Sequence, residues 1–207
     1  MIPTREYIER KFKEYNDEMF GGTLKPLPIR LCRARTFLGQ VSFLRQRRLF
    51  RRPLYKDFVL KISVCLDMPE NVIEDTLIHE MIHYWILSNQ MYDTGPHGAI
   101  FQKKMREINM RYGRNIEVRH KMTTAEHDRD TEVRRHYVCL SVLRDGRYGI
   151  TVAMPSSLSS MREMMTHFPD VVSQKWFLSY DVYFNRFRRS KTPKMYIVGK
   201  EEIEKYL

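Results

Sequence analysis

The sequence predicts an α+β fold, in which a domain with a small antiparallel sheet and a helix carrying a His-Glu-x-x-His pattern is followed by a small β-rich module. Residues 58–66 alternate in character as a strand does, and residues 76–85 form an apolar run compatible with a helix. Several short strand-like runs follow residue 136. The 207 residues suffice for one domain with a small appendage.

The chain should open with a helix from about Arg5, capped by Thr4 and ended by Gly21 and Gly22. Residues 29–35 and 40–44 are typical of short strands. The strand at 58–66 leads into the helix that carries the His-Glu-x-x-His pattern, and we expect this strand to edge a cleft where an extended peptide can pair.

Residues 43–56 interleave six cations with three aromatic residues, in a chain of net charge +11. Cations can follow phosphates while aromatic rings stack on exposed bases, so the segment predicts nucleic-acid binding with single strands favoured. The alternative is a solvated hairpin whose aromatic rings pack inward. The predicted nucleic-acid contacts are Arg45, Arg47, Arg48, Phe50, Arg51 and Arg52.

The next helix should begin near Met68, with Asp67 as its N-cap. His79 and His83 are one helical turn apart on one face, so both imidazoles can reach one ion. Glu80 stands beside them, where it can touch a water on that ion. The pattern predicts a zinc hydrolase, and the alternative is a chance match on a buried helix.

A catalytic zinc site requires a third protein ligand. His97 follows a turn signal and should lie in the first turn of the next helix, and Glu107 is the rival ligand farther along that helix. The metzincin pattern would continue with Gly at position 86 and His at position 89. This chain has Ile86 and Asn89 there, which excludes that pattern.

Beyond residue 113 the sequence predicts a basic connector at 114–136 and a β-rich module at 137–207. Strands are expected at 137–143, 148–154, 176–184 and 194–198, with a helix that starts at Ser160 through a capping box. Three cysteines in apolar surroundings indicate buried thiols in a reducing compartment.

The pattern from His79 to His83, the Gly-Pro-His-Gly-x-x-Phe run that contains His97 and Phe101, and Asn109 together resemble the SprT-like metalloprotease family. The resemblance covers about residues 4–140. It implies a zincin-like protease domain at 1–113, with His79, His83 and His97 as ligands of one catalytic zinc and Glu80 as the base. Family members often carry two cysteine pairs in a following zinc ribbon, but here only Cys139 lies near that place, so the module should resemble a ribbon without its metal ligands.

The resemblance implies a zinc metalloendopeptidase that cleaves DNA-associated or DNA-crosslinked proteins. Two alternatives are a nucleic-acid-binding adaptor with a vestigial or gated protease site, and a zinc protease unrelated to DNA. Tyr92 and Arg106 are candidates for stabilising the oxyanion. No membrane-spanning run is present, so we expect a cytoplasmic protein, associated with the nucleoid in a bacterium or nuclear in a eukaryote.

Overall fold

The computed structural model describes residues 1–119 and 123–207, with the side chains of Arg51 and Thr124 excepted. The chain forms two compact units, Met1–Lys121 and Met122–Leu207. Both contain helices and a small sheet, so the fold is of mixed α and β character. None of the helices in the described residues has the length and apolar character needed to cross a membrane.

The first unit opens with helix α1, Arg5–Phe20. The Thr4 side chain accepts a hydrogen bond from the Tyr7 amide, and Gly21 ends the helix at φ 62°. Glycine adopts this left-handed conformation without steric cost. Both predicted ends of α1 are therefore confirmed.

The sheet of the first unit has the order β1-β3-β2, formed by β1 (Ile29–Cys32), β2 (Gly39–Arg48) and β3 (Arg51–Ser63). The prediction of an antiparallel sheet was wrong, because β1 pairs in parallel with β3 while only β2 is antiparallel to it. An extended peptide cannot pair with β3 there as expected, because β3 has β1 on one side and β2 on the other. Leu60 and Ile62 are buried, and a strand buried in this way takes the central position with a neighbour on each side.

Helix α2, Glu70–Ser88, carries the His-Glu-x-x-His pattern and is buried through Leu77, Ile78 and Ile82. Its N-cap is Pro69 without a side-chain hydrogen bond, so the predicted cap at Asp67 was wrong. The Asp67 carboxylate pairs instead with the N-terminal ammonium group.

A buried ion cluster fixes α2 one turn before its first histidine. The Glu74 carboxylate lies 3.0 Å from Lys11 Nζ of α1 and 2.7 Å from an Arg114 guanidinium nitrogen. Burial by itself would raise the pKa of Glu74, but the hydrogen bonds from Arg114 and Lys11 lower it to about 2. The charged cluster thereby joins α1, α2 and the segment after helix α3, which spans Ala99–Tyr112 and ends at Gly113.

The helices and strands of the second unit are α4 (Thr124–His127), β4 (His136–Leu143), β5 (Tyr148–Ala153), α5 (Leu158–Thr166), β6 (Val171–Ser179), β7 (Tyr196–Val198) and α6 (Lys200–Ile203). The strands form an antiparallel sheet of order β6-β4-β5-β7. Buried apolar clusters include Phe184 and Phe187 in one and Met161 and Met165 in another. Among the described residues of this unit, no group of three or more His, Cys, Asp or Glu side chains can hold a metal ion.

Two local predictions for this unit were wrong. The strand expected at 176–184 is β6, which ends at Ser179, and Val182–Arg186 forms a 3-10 helix whose N-terminus is capped by Asp181. Helix α5 begins two residues before Ser160 and has no side-chain cap. Aromatic residues favour strands in sequence patterns, but the Asp181 cap and the burial of Phe184 decide the turn here.

Candidate metal centre

Three imidazoles converge between α2 and α3. The Nε2 atoms of His79, His83 and His97 lie 3.1 Å from one another in each of the three pairs. Zinc–nitrogen bonds of ~2.0–2.1 Å in a tetrahedral site place ligand atoms roughly 3.3 Å apart. The three nitrogens therefore fit one tetrahedral ion with its fourth position open.

The tautomer and charge of the histidines also suit a metal. His79 Nδ1 lies 2.9 Å from the Glu117 carbonyl oxygen and donates to it, which leaves the Nε2 lone pair free. Burial lowers the pKa of His79 to about 4 and that of His83 to about 3. The Phe101 ring packs against all three imidazoles, at centroid distances of 4.8, 4.6 and 4.7 Å. Neutral imidazoles held in this way are ready to coordinate a cation.

His97 lies just before α3, whose N-cap is Gly98, and not in its first turn as predicted. The Asp93 carboxylate holds this loop, accepting from the amides of Thr94 at 2.8 Å, Ile100 at 3.2 Å and Phe101 at 2.8 Å. A Cβ at Gly98 would lie 2.2 Å from Asp93 Oδ1, so only glycine permits this approach. Asp93 thereby fixes the direction from which His97 enters the cluster.

Glu80 is 7% exposed and faces the first part of β2. Its Oε2 accepts a hydrogen bond of 2.8 Å from the Val41 amide. Burial raises the pKa of Glu80 to about 7, against the lowering effect of the Val41 bond. A Cβ at Gly39 would lie 2.7 Å from Glu80 Cγ, so β2 can reach the carboxylate only because this residue is glycine.

Three other side chains were candidates for the site, Glu107 as a ligand and Tyr92 and Arg106 for the oxyanion, and of these Tyr92 lines the same cavity as Glu80 and the histidines. Glu107 lies on α3 and forms an ion pair with Lys104 Nζ at 3.0 Å. Within the described part of the chain, the side chains that can hold a metal ion are those of the three histidines, and Glu107 is not among them. The Tyr92 hydroxyl donates to the Pro53 carbonyl at 3.2 Å, and an Arg106 guanidinium nitrogen is 3.5 Å from Gln102 Oε1.

The predicted nucleic-acid segment forms the distal part of the β2–β3 hairpin. Phe50 occupies its tip at φ 57° and is 97% exposed, while Phe43 and Tyr55 pack edge to face at 5.1 Å. Of these three rings, Phe50 is therefore the one whose faces are open for stacking on a base. The side chains of Arg45, Arg47, Arg48 and Arg52 are exposed, and that of Arg51 lies outside the described residues.

The model of the SprT-like family matches residues 8–121, more than half of the chain. The chain belongs to the SprT-like family. It is 30% identical over 131 residues to the DNA-dependent metalloprotease SPRTN of Rattus norvegicus and to that of Mus musculus, and 29% identical to that of Homo sapiens. These alignments cover 63% of this chain and about a quarter of each relative. The expected family membership is confirmed.

The SprT-like site includes two residues that sequence patterns missed. Both residues lie outside the His-Glu-x-x-His pattern. Gly39 allows β2 to approach Glu80, and Asp93 holds the loop of His97 through hydrogen bonds to backbone amides. The only local signals were a glycine at the start of a strand and an acid before the Thr94-Gly95-Pro96 turn. Neither signal names the partner that the residue meets in space.

Proposed function

We propose that this protein is a zinc-dependent metalloendopeptidase that cleaves proteins associated with DNA or crosslinked to it. The observation that carries the proposal is the convergence of three imidazole Nε2 atoms next to a buried glutamate, whose carboxylate is oriented by the Val41 amide. A general base must lie within hydrogen-bond reach of the proton that it takes, and Glu80 lines the same cavity as the imidazoles.

His79, His83 and His97 would hold the zinc, which supplies Lewis acidity toward a peptide carbonyl and makes a water acidic near neutral pH. Glu80 accepts the proton of the attacking water and delivers it to the nitrogen of the leaving amine. The Val41 amide fixes the carboxylate at Oε2, which leaves Oε1 for the water. The surrounding side chains reduce competing solvent at this carboxylate.

A substitution at Glu80 tests this role. Glu80→Gln keeps the shape and the Val41 contact but removes the proton acceptor, so cleavage of a protein substrate should fall about 100-fold or more. Zinc content and melting temperature should match the parent. The control is Glu107→Gln, an exposed carboxylate of α3, which should cleave at the parental rate. Equal rates for parent and Glu80→Gln would exclude Glu80 as the base.

The nucleic-acid part of the proposal rests on the exposed cations of the β2–β3 hairpin and on the name of the SPRTN relatives, which describes DNA-dependent metalloproteases. Phe50 presents an almost fully exposed ring beside these cations, so single-stranded DNA is the favoured ligand. We propose a location where DNA is present, in the cytoplasm of a bacterium or the nucleus of a eukaryote.

The hairpin is tested by reversing the charges of Arg45, Arg47 and Arg48 to Glu. Affinity for a labelled single strand should drop, and the slope of log K against log salt should shrink by up to about 2, since each phosphate contact contributes ~0.7. The control reverses the exposed Lys13, Lys25 and Arg30, which changes the net charge equally. Fluorescence anisotropy across a salt series measures both. Parental binding by the hairpin variant would remove the hairpin from the DNA site.

Stacking is tested separately at the tip. Phe50→Ala should weaken single-strand binding by ~1–3 kcal/mol without lowering the melting temperature, because the ring is exposed. Leu49→Ala is the matched control, since Leu49 is 83% exposed and has no aromatic face.

The same variants separate the alternative functions. DNA-independent cleavage by both hairpin variants would favour a protease unrelated to DNA, and DNA binding without cleavage by the parent would favour the adaptor.

A further inference from the structure

A cavity of about 540 Å³ opens directly beside the three histidines. Glu80, the three imidazoles, Gln40 and Asp93 contribute polar groups to its lining, and most of the other lining side chains are apolar or aromatic. A volume of this size is typical of sites that enclose a ligand group. The apolar wall consists of Phe43, Tyr55, Ile86, Leu87, Met91 and Tyr92.

This wall is held in place by contacts between the hairpin and the segment after α2. Gln90, at φ 54°, bonds to both backbone groups of Tyr55, at 3.4 Å to the carbonyl and 3.5 Å from the amide. The Tyr92 hydroxyl donates to the Pro53 carbonyl, and the Arg52 guanidinium lies 4.3 Å from the Tyr92 ring centroid. The wall is therefore formed before any ligand enters.

The charge distribution selects an uncharged occupant. Among the described lining residues no Lys or Arg is present, and the acids are Glu80 and Asp93. Asp93 is already bonded to three backbone amides. A carboxylate entering the cavity would meet Glu80, and a charged group of either sign held against the apolar wall would lose water there.

We propose that the apolar wall of the cavity forms a specificity pocket that takes a large apolar or aromatic side chain of the substrate, from a residue flanking the scissile bond. The inference rests on the proposed peptidase function and names its substrate class. The occupant follows from the position of the apolar wall, because the same cavity also contains Glu80 and the three imidazoles. A peptide whose carbonyl is placed for attack there extends a neighbouring side chain along this wall.

Leu87 is the side chain to change. It is half-buried in the cavity wall and does not belong to the hydrophobic core cluster of the first unit. Leu87→Glu should therefore fold while placing an acid opposite the substrate side chain. Leu87→Met keeps the apolar wall, and Leu44→Glu puts the same acid on an exposed hairpin residue outside the cavity.

The experiment uses internally quenched peptides that differ at one residue flanking the cleavage site, with Phe, Leu, Ala, Lys or Asp there. The zinc-loaded parent should cleave the Phe and Leu peptides with kcat/KM about 10- to 100-fold above the Ala, Lys and Asp peptides. Leu87→Glu should lose this preference and favour Lys, while Leu87→Met and Leu44→Glu should keep it. Equal rates for all peptides, a parental preference for Lys, or an unchanged preference in Leu87→Glu would each overturn the pocket.

A binding measurement separates failure of the pocket from failure of the proposed function. Short peptide hydroxamates bearing a benzyl or a carboxymethyl side chain are titrated into the zinc-loaded parent and Leu87→Glu by calorimetry. Tighter binding of the benzyl probe to the parent, lost in Leu87→Glu, supports the pocket even if no peptide is cleaved. Cleavage without any side-chain preference, or equal binding of both probes, contradicts the pocket. The peptidase function is tested separately, by whether the parent cleaves any of the peptides.

Discussion

Gly39→Ala should disable catalysis while leaving the metal in place. The added Cβ would lie 2.7 Å from Glu80 Cγ and 2.7 Å from Thr76 Cγ2. Carbon atoms normally approach to ~3.5–4.0 Å, so β2 and the Glu80 side chain must separate by roughly 1 Å. Overpacking of this kind costs ~1–3 kcal/mol of stability.

The catalytic effect should be measurable apart from the effect on stability. A displacement of about 1 Å of a catalytic group can cost about 100-fold in rate. We therefore expect kcat to fall by about two orders of magnitude with KM changed much less. Zinc content should stay at the parental level, because no histidine of the cluster is among the atoms that the new Cβ meets.

The assay is steady-state cleavage of a quenched peptide, with zinc content and thermal melting measured on the same samples. Gly95→Ala is the control, since a Cβ there meets nothing within 4 Å. Adding Thr76→Ser removes one carbon clash and keeps the hydroxyl that bonds to the Val72 carbonyl, so the double variant should recover part of kcat. Parental kcat and melting temperature in Gly39→Ala would refute the close packing of β2 against Glu80.

Two further predictions concern the metal. Elemental analysis of purified protein should give one zinc per chain, which His97→Ala should lose and Glu107→Ala should retain. A second tightly held zinc, or loss of zinc in Glu107→Ala alone, would contradict the ligand set. Asp93→Asn should weaken zinc binding about 10- to 100-fold in competition with a chelator, because one amide of the His97 loop loses its acceptor, and parental affinity would show that Asp93 does not position the ligand.

Local patterns were sufficient for much of the first unit. The Thr4 cap and the Gly21 stop gave both ends of α1, because helix caps act within a few residues. Helical periodicity placed His79 and His83 on one face of α2. The hairpin was predicted less completely, because strands were expected at 40–44 and 58–66 whereas β2 and β3 span Gly39–Arg48 and Arg51–Ser63.

The sequence by itself determined both ends of α1, the spacing of the His79–His83 pair and the basic character of the hairpin, since each depends on neighbours along the chain. The tertiary structure decided that β3 is central, that His97 and not Glu107 joins the pair, and that β2 meets Glu80. These outcomes depend on contacts between residues distant in sequence, where burial and close packing select one arrangement among several that local patterns allow. The apolar wall beside the imidazoles belongs to the same class, because it exists only once the hairpin and the segment after α2 have come together.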